Sequence, residues 1–161
     1  MKLRIHIAAL IFCAAFFICC ECDWKGNFIT VAPEAPVVVK AKVLGFFKKN
    51  SPPADKDVDI DVKMEVEIMN VFKGKETRKK IMIWGDNGMQ CRPYVSAFKK
   101  DAVYYIAMNK MNDVDYYISV CGEYYLKVKN GKVKMQGNNA NETMRDMTEK
   151  EFEKLLKMKL K

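Results

Sequence analysis

The cysteines of this sequence can take part in several kinds of chemistry, because a thiol can act as a nucleophile, a metal ligand or half of a disulfide. Catalysis of the Cys-His or Ser-His type needs a histidine, and the one histidine, His6, lies in an N-terminal segment that we expect to be removed. We therefore expect no enzymatic activity and no cofactor, and we expect disulfides among the six cysteines, which are Cys13, Cys19, Cys20, Cys22, Cys91 and Cys121.

Residues 1–19 have the features of a signal peptide. Two basic residues precede an apolar run, Ile7–Ile18, which is too short to span a bilayer. We expect cleavage between Cys19 and Cys20, which leaves a secreted protein. The alternative is acylation of one of these two cysteines, which would anchor the protein by a lipid in a bacterial cell envelope. In a eukaryotic secretory pathway Asn141, which begins an Asn-Glu-Thr acceptor pattern, would be N-glycosylated.

The chain that remains is moderately basic. Loss of Lys2 and Arg4 takes the 28 basic side chains to 26, against 20 acidic ones, so the mature chain carries about +6. Such a charge favours acidic partners, and an acidic polysaccharide is a candidate for an exported protein, although a solvated surface explains the same charge. Export argues against nucleic acid as a partner.

Alternating apolar and polar residues predict a mainly β protein. From Val58 to Ile68 apolar residues occupy every second position and charged residues the others, as in a half-buried strand. A long apolar stretch, Val37–Phe47, predicts the strand before it, and a polar loop, Lys48–Asp57, connects the two. Further strands are predicted at Lys80–Trp84, Ala102–Met108 and Tyr116–Val120.

The C-terminal region predicts a hairpin followed by a helix. Asn130-Gly131 supplies the positive φ angles that a tight turn requires, and it separates two predicted strands, Tyr124–Val128 and Lys132–Met135. We expect the sheet to end at this hairpin. The segment Thr148–Leu160 has apolar residues at helical spacing and begins with a capping box formed by Thr148 and Glu151.

These elements favour one small closed barrel with a C-terminal α-helix. Five or more antiparallel strands suit a closed barrel, which leaves no exposed sheet edge, and a β-sandwich is the alternative. No linker, repeat or low-complexity tract divides the sequence. Residues 20–161 are therefore expected to form a single domain, which we expect to be a monomer.

The spacing of the cysteines resembles that of a known family. Cys20 and Cys22 form a Cys-x-Cys pair, Cys91 follows Cys20 by 71 positions, and Cys121 follows Cys91 by 30. Four cysteines allow three pairings, which the spacing by itself does not separate. The arrangement resembles the N-terminal domain of the tissue inhibitors of metalloproteinases (TIMPs) and the related netrin-like modules. The resemblance covers residues 20–121 and includes three strand motifs, VVVKAKV at 37–43, VFKG at 71–74 and YYIA at 104–107.

The resemblance implies a fold, two disulfides and an inhibitory mechanism. It implies an OB-type closed antiparallel barrel with the bridges Cys20–Cys91 and Cys22–Cys121. It also implies that the free amino group and carbonyl oxygen of Cys20 chelate the catalytic zinc of a protease, in the place of its hydrolytic water. The implied partner is a zinc metalloproteinase, and the implied contact residues are Cys20, Glu21, Cys22, Met89, Gln90, Cys91 and Arg92, flanked by the loop from Phe46 to Asp57.

The sequence departs from the family pattern at several points. Glu21 stands where the family usually has threonine or serine, and a carboxylate that enters a largely apolar pocket is costly to desolvate. The cysteines of the family's third bridge are absent, and a hairpin and a basic helix replace its separate C-terminal domain. The alternative interpretation is a non-inhibitory exported or lipid-anchored barrel that serves as a binding module or scaffold. Acylation of Cys20 would exclude both chelation and its bridge to Cys91.

Overall fold

The computed structural model describes residues 22–48, 60–137 and 142–161, of which 42% are in strands and 14% in helices. The two α-helices of these residues are α1, Phe28–Val31, and α2, Glu149–Lys159. A 3₁₀ turn covers Val95–Ala97. The strands are β1 Val37–Lys48, β2 Asp61–Lys73, β3 Lys80–Trp84, β4 Val103–Lys110, β5 Tyr116–Tyr117, β6 Tyr125–Lys129, β7 Lys132–Met135 and β8 Arg145–Thr148.

Five of the strands close into a barrel. β1 pairs with both β2 and β4, β2 pairs with β3, and β5 lies between β3 and β4, so the ring runs β1-β2-β3-β5-β4 and returns to β1. The two-residue pairing of β3 with β5 is parallel, and the other pairings of the ring are antiparallel. The predicted fold class, an OB-type closed barrel with a C-terminal helix, is therefore confirmed in preference to a sandwich.

β1 is the strand on which the barrel closes. Val37, Val39, Ala41 and Val43 alternate along it and are buried, which gives the strand an apolar side for the core. Register shifts interrupt its pairing with β2 at several points, and such bulges bend a strand and increase its twist. A strand of 12 residues can therefore curve far enough to pair with a neighbour on each side of a small barrel.

A half-buried polar cluster supports the short parallel pairing. The Arg78 guanidinium donates to the Glu76 carboxylate at 2.6 Å and to the Val114 carbonyl oxygen at 2.7 Å, and the Tyr116 hydroxyl donates to Glu76 at 2.7 Å. The hydrogen bond from Arg78 is the main cause that lowers the pKa of Glu76 to about 2. The ionised carboxylate thus ties the segment before β3 to the segment that carries β5.

The C-terminal sheet extends one strand further than predicted. Asn130 and Gly131 have φ angles of 52° and 70° and form the predicted tight turn between β6 and β7. The prediction that the sheet ends at this hairpin was wrong, because β8 pairs with β7 along all four of its residues. Met147 is the one apolar residue of β8, so the strand carries too little alternation to be seen in the sequence. β5 is also shorter than the predicted strand Tyr116–Val120.

Helix α2 packs against the barrel through its apolar side. The Glu151 amide donates to the Thr148 hydroxyl at 3.3 Å and the Thr148 amide donates to the Glu151 carboxylate at 2.9 Å, which confirms the predicted capping box. The ring centroid of Phe152 lies 5.6 Å from that of Phe28 and 4.6 Å from that of Tyr105. The helix therefore shares one aromatic cluster with α1 and β4.

Truncation of Phe152 tests whether α2 belongs to the core. This side chain is 0% exposed, so Phe152→Ala should lower the free energy of unfolding by about 3–5 kcal/mol. Lys154→Ala, at an exposed position of the same helix, is the control and should cost less than about 0.5 kcal/mol. Urea denaturation measures both variants. Equal losses of unfolding free energy in Phe152→Ala and Lys154→Ala would show that α2 does not contribute to the core.

Candidate functional site

The parallel pairing of β3 and β5 places two loops at one end of the barrel. Trp84, the last residue of β3, is in register with Tyr117, the last residue of β5, and neighbouring parallel strands leave a sheet at the same edge. The segment after β3 carries Cys91, and the segment after β5 carries Cys121. The Arg92 guanidinium lies 4.7 Å from the ring centroid of Tyr117, so the segment after β3 contacts the end of β5.

The connection between β1 and β2 leaves from the same end. Phe47 of β1 is in register with Lys63 of β2, and Lys63 is in register with Trp84 of β3. The predicted flanking loop therefore starts beside the two cysteine segments. Its residues 49–57 lie outside the described residues, whereas Phe46–Lys48 complete β1.

A disulfide and backbone hydrogen bonds hold the N-terminal segment against this end of the barrel. Cys22 and Cys121 are bonded, with their Cα atoms 5.6 Å apart. The Lys25 amide donates to the Cys121 carbonyl oxygen at 2.8 Å, and the Glu123 amide donates to the Gly26 carbonyl oxygen at 3.0 Å. The segment that leads back to the amino terminus is therefore fixed alongside the chain that follows β5.

A polar network extends this attachment to the hairpin. Asn27 is buried; its Nδ2 donates to the Gln136 carbonyl oxygen at 3.1 Å, and its Oδ1 accepts from the Thr30 amide at 3.2 Å and so caps α1. The Glu123 carboxylate accepts from the amides of Phe28 and Gln136, at 3.2 and 3.0 Å. Burial raises the pKa of Glu123 above its ordinary value, although these two donors oppose the shift. One carboxylate thus joins the N-terminal segment to the chain after β7.

Asp86 organises the loop that carries Cys91, which we call the Cys91 loop and define as residues 86–92. The Asp86 side chain accepts hydrogen bonds from the amides of Gly88, Gln90 at 3.3 Å and Arg92 at 3.0 Å, and the residue is 7% exposed. Gly88 and Cys91 have positive φ angles, 95° and 51°, as the chain turns around this carboxylate. Burial alone would raise the pKa of Asp86, but the backbone donors outweigh it and lower the pKa.

Large apolar side chains are exposed on both fixed segments. Met89, in the Cys91 loop, is 86% exposed, and Trp24, two residues after Cys22, is 47% exposed. A pocket of about 150 Å³ lies beside the loop and is lined by Val62, Trp84, Gly85, Asn87, Gln90 and Met111. Both side chains are accessible to a partner protein.

The structure places most, but not all, of the predicted site residues. The predicted Cys22–Cys121 disulfide is confirmed. Cys91 is also disulfide-bonded, but Cys20 and Glu21 lie outside the described residues, so the pairing of Cys91 with Cys20 and the chelating group stay predictions. Met89, Gln90 and Cys91 are exposed, and Arg92 is half-buried. The glycosylation acceptor Asn141 lies outside the described residues.

The sequence did not predict the side chains that support these segments. For Asp86 a local signal exists, because Asp-Asn-Gly is typical of a turn in which a side-chain oxygen accepts backbone hydrogen bonds. Glu123 has no such signal, since its partners Phe28 and Gln136 are 95 and 13 positions away. Asn27 is also missed, because the helix that it caps has only four residues.

No protein-family model matches the chain, and no curated protein does. The TIMP resemblance therefore rests on the cysteine spacing and the strand motifs. Within the three described ranges no helix is long and apolar enough to cross a membrane, and no three Cys, His or acidic side chains are grouped so that they could hold a metal ion. The Cys22–Cys121 disulfide indicates an oxidising compartment.

The role of Asp86 predicts a pH-dependent loop. Because the folded state lowers the pKa of Asp86, its stabilisation is fully present above about pH 4, the ordinary pKa of an aspartate, and is lost as the pH falls through the folded pKa. Asp86→Asn should cost about 1–3 kcal/mol of unfolding free energy at pH 7, because the amide cannot accept all three backbone hydrogen bonds. The difference from the wild type should shrink in acid.

Denaturation at pH 7 and in acid, combined with hydrogen exchange of the Gln90 and Arg92 amides, measures this effect. Asp113→Asn is the matched control, because Asp113 is exposed and accepts no hydrogen bond from the described residues. If Asp86→Asn lowered the free energy of unfolding equally at both pH values, the ionised carboxylate of Asp86 would not be what stabilises the loop.

Proposed function

We propose that this protein is a secreted, TIMP-like inhibitor of zinc metalloproteinases and not an enzyme. The observation that carries the proposal is the Cys22–Cys121 disulfide, which holds the N-terminal segment at the barrel end from which the Cys91 loop also leaves. Two surface segments that lie far apart in the chain are thereby presented together. The compartment that the disulfide indicates is one in which an exported inhibitor would meet extracellular proteases.

The inhibitory group in the proposal is the amino terminus created by cleavage after Cys19. The α-amino nitrogen and carbonyl oxygen of Cys20 form a five-membered chelate with the protease zinc and displace the water that would attack the substrate. Cys20 precedes the disulfide-bonded Cys22 by two residues, so little conformational freedom would remain to be lost on docking.

The Cys91 loop supplies the second contact in the proposal. Asp86 holds the backbone of the loop from within, which leaves Met89 and Gln90 exposed to a partner. Met89 is unbranched and polarisable and can adapt to an apolar depression on a protease surface. The pocket lined by Trp84 and Met111 lies beside the Cys91 loop and could accept a protruding side chain of the partner.

Glu21 determines which proteases the proposal favours. The residue after Cys20 would enter the pocket that normally receives the substrate side chain following the cut. In an apolar pocket nothing offsets the cost of desolvating the carboxylate, whereas a basic or hydrogen-bonding group in the pocket would pair with it. We therefore expect selectivity for metalloproteinases whose pocket carries a cationic side chain, and weak inhibition of enzymes with a purely apolar one.

Extension of the amino terminus by one residue tests the proposal. An alanine added before Cys20 converts the α-amine into an amide, which cannot bind zinc, so inhibition by the mature protein should weaken at least about a hundredfold. Inhibition constants are measured against a panel of zinc metalloproteinases that includes apolar and basic pockets. Glu21→Thr should improve inhibition of the enzymes with apolar pockets.

The second contact has its own matched pair of variants. Met89→Ala should weaken inhibition about tenfold, as expected for an interface contact worth more than 1 kcal/mol. Met144→Ala, at an exposed methionine next to β8, should have no effect. If the native amino terminus inhibits no enzyme of the panel, or if the extended protein inhibits equally well, the protein is instead a binding module or scaffold.

A further inference from the structure

A basic trough lies on the exposed face of the C-terminal hairpin. Its volume is about 480 Å³, and its lining includes four lysines with Asn130 and Asp146. The lysines, all exposed, are Lys127, Lys129, Lys132 and Lys134. None of these residues belongs to the N-terminal segment or the Cys91 loop. The trough also lies beyond residues 20–121, the part of the chain that resembles TIMPs.

Strand register gathers the four lysines on one face. Side chains alternate along a strand, so Lys127 and Lys129 share a face of β6 and Lys132 and Lys134 share a face of β7. Lys129 and Lys132 are direct cross-strand partners. Like charges in directly opposite positions destabilise a sheet, so this pairing has a cost that a bound anion would relieve.

The trough has little negative charge of its own. Asp146, which is the register partner of Lys134, is the one acidic residue in its lining. Glu151, at the start of α2, interacts electrostatically with Lys132. Within the described part of the chain, none of the four lysines forms an ion pair. The trough is therefore a site of positive potential that the protein itself leaves largely uncompensated.

The lining favours one class of anion. It contains no aromatic side chain on which nucleobases could stack, and its apolar residue Val133 is buried and cannot insert into a bilayer. Lysines two positions apart on a strand are separated by about 6.6 Å. Two such rows present an array of point charges, which suits an extended chain that carries negative groups at intervals.

We infer that this trough binds an anionic polysaccharide with sulfate or carboxylate groups. The Cys22–Cys121 disulfide indicates an oxidising compartment. The extracellular space is such a compartment, and anionic polysaccharides occur there. Because the trough shares no residue with the proposed inhibitory site, the two activities are separable. Binding would hold the protein on a matrix or cell-surface polymer while its disulfide-bonded end stays exposed.

Titration with heparin, a sulfated polysaccharide, tests the inference on the full mature protein. Replacement of all four trough lysines by glutamine should weaken binding about tenfold, because the loss of each exposed ion pair lowers the affinity by a small factor and the four factors multiply. Added salt should weaken binding of the wild type. The matched control replaces four exposed lysines elsewhere by glutamine, with the same change in net charge: Lys75, Lys79, Lys99 and Lys100.

The inference would be overturned by no heparin binding, by an equal loss in the trough and control variants, or by tighter binding of phosphatidylserine vesicles or single-stranded DNA than of heparin. Thermal unfolding checks that each variant folds. Lys129→Gln with Lys132→Gln is a second variant, which removes the unfavourable cross-strand pairing and should not destabilise the fold. This double variant should also weaken heparin binding, and unchanged binding would contradict the site.

Discussion

The bridge between Cys22 and Cys121 joins residues that are 99 positions apart, and the proposed site depends on this constraint. In the chain-entropy model a cross-link over so long a loop contributes about 4–5 kcal/mol to stability. The two backbone hydrogen bonds that flank it, from Lys25 and from Glu123, contribute about 1 kcal/mol each. Without the bridge an exposed terminal segment held by so few contacts would fray.

Other contacts of the site connect the N-terminal segment to the hairpin and bring the Cys91 loop to the same end of the barrel. Glu123 and Asn27 connect the N-terminal segment to Gln136, and a Cβ at Gly122 would lie 3.1 Å from the Gly26 carbonyl oxygen, so glycine allows the close approach. On the other side, the parallel pairing of β3 with β5 brings the Cys91 loop to the same barrel end. Both segments are therefore held by contacts within the protein, which would lower the entropic cost of binding a partner.

Local signals account for what the sequence predicts well. The alternation in β2, the Asn130-Gly131 turn and the Thr148 capping box each lie within a few residues, and the structure contains all three. The order of strands in the barrel depends on the pairing of β1 with β4, which are more than 50 positions apart, and the periodicity of either strand does not show it. β8 is missed for a related reason, because it has one apolar residue and is stabilised by pairing with β7.

The candidate site also depends on long-range contacts that local sequence patterns do not show. The spacing of the cysteines predicts the Cys22–Cys121 bridge only through a family resemblance, since four cysteines allow three pairings. The supports of the site are long-range: Glu123 reaches the Phe28 amide across 95 positions. The four trough lysines look like ordinary solvated charges in the sequence, and only the hairpin register makes them one surface.

The central claim is that disulfides hold a free amino terminus at the end of the barrel. Its most direct test is the intact mass and N-terminal sequence of the naturally exported protein, before and after reduction, with the disulfide-linked peptides mapped. We predict a free Cys20 α-amine, the linkages Cys20–Cys91 and Cys22–Cys121, and a gain of two hydrogen atoms per bridge on reduction. An acylated or differently cleaved terminus, or a Cys91 linked to another cysteine, would contradict the account.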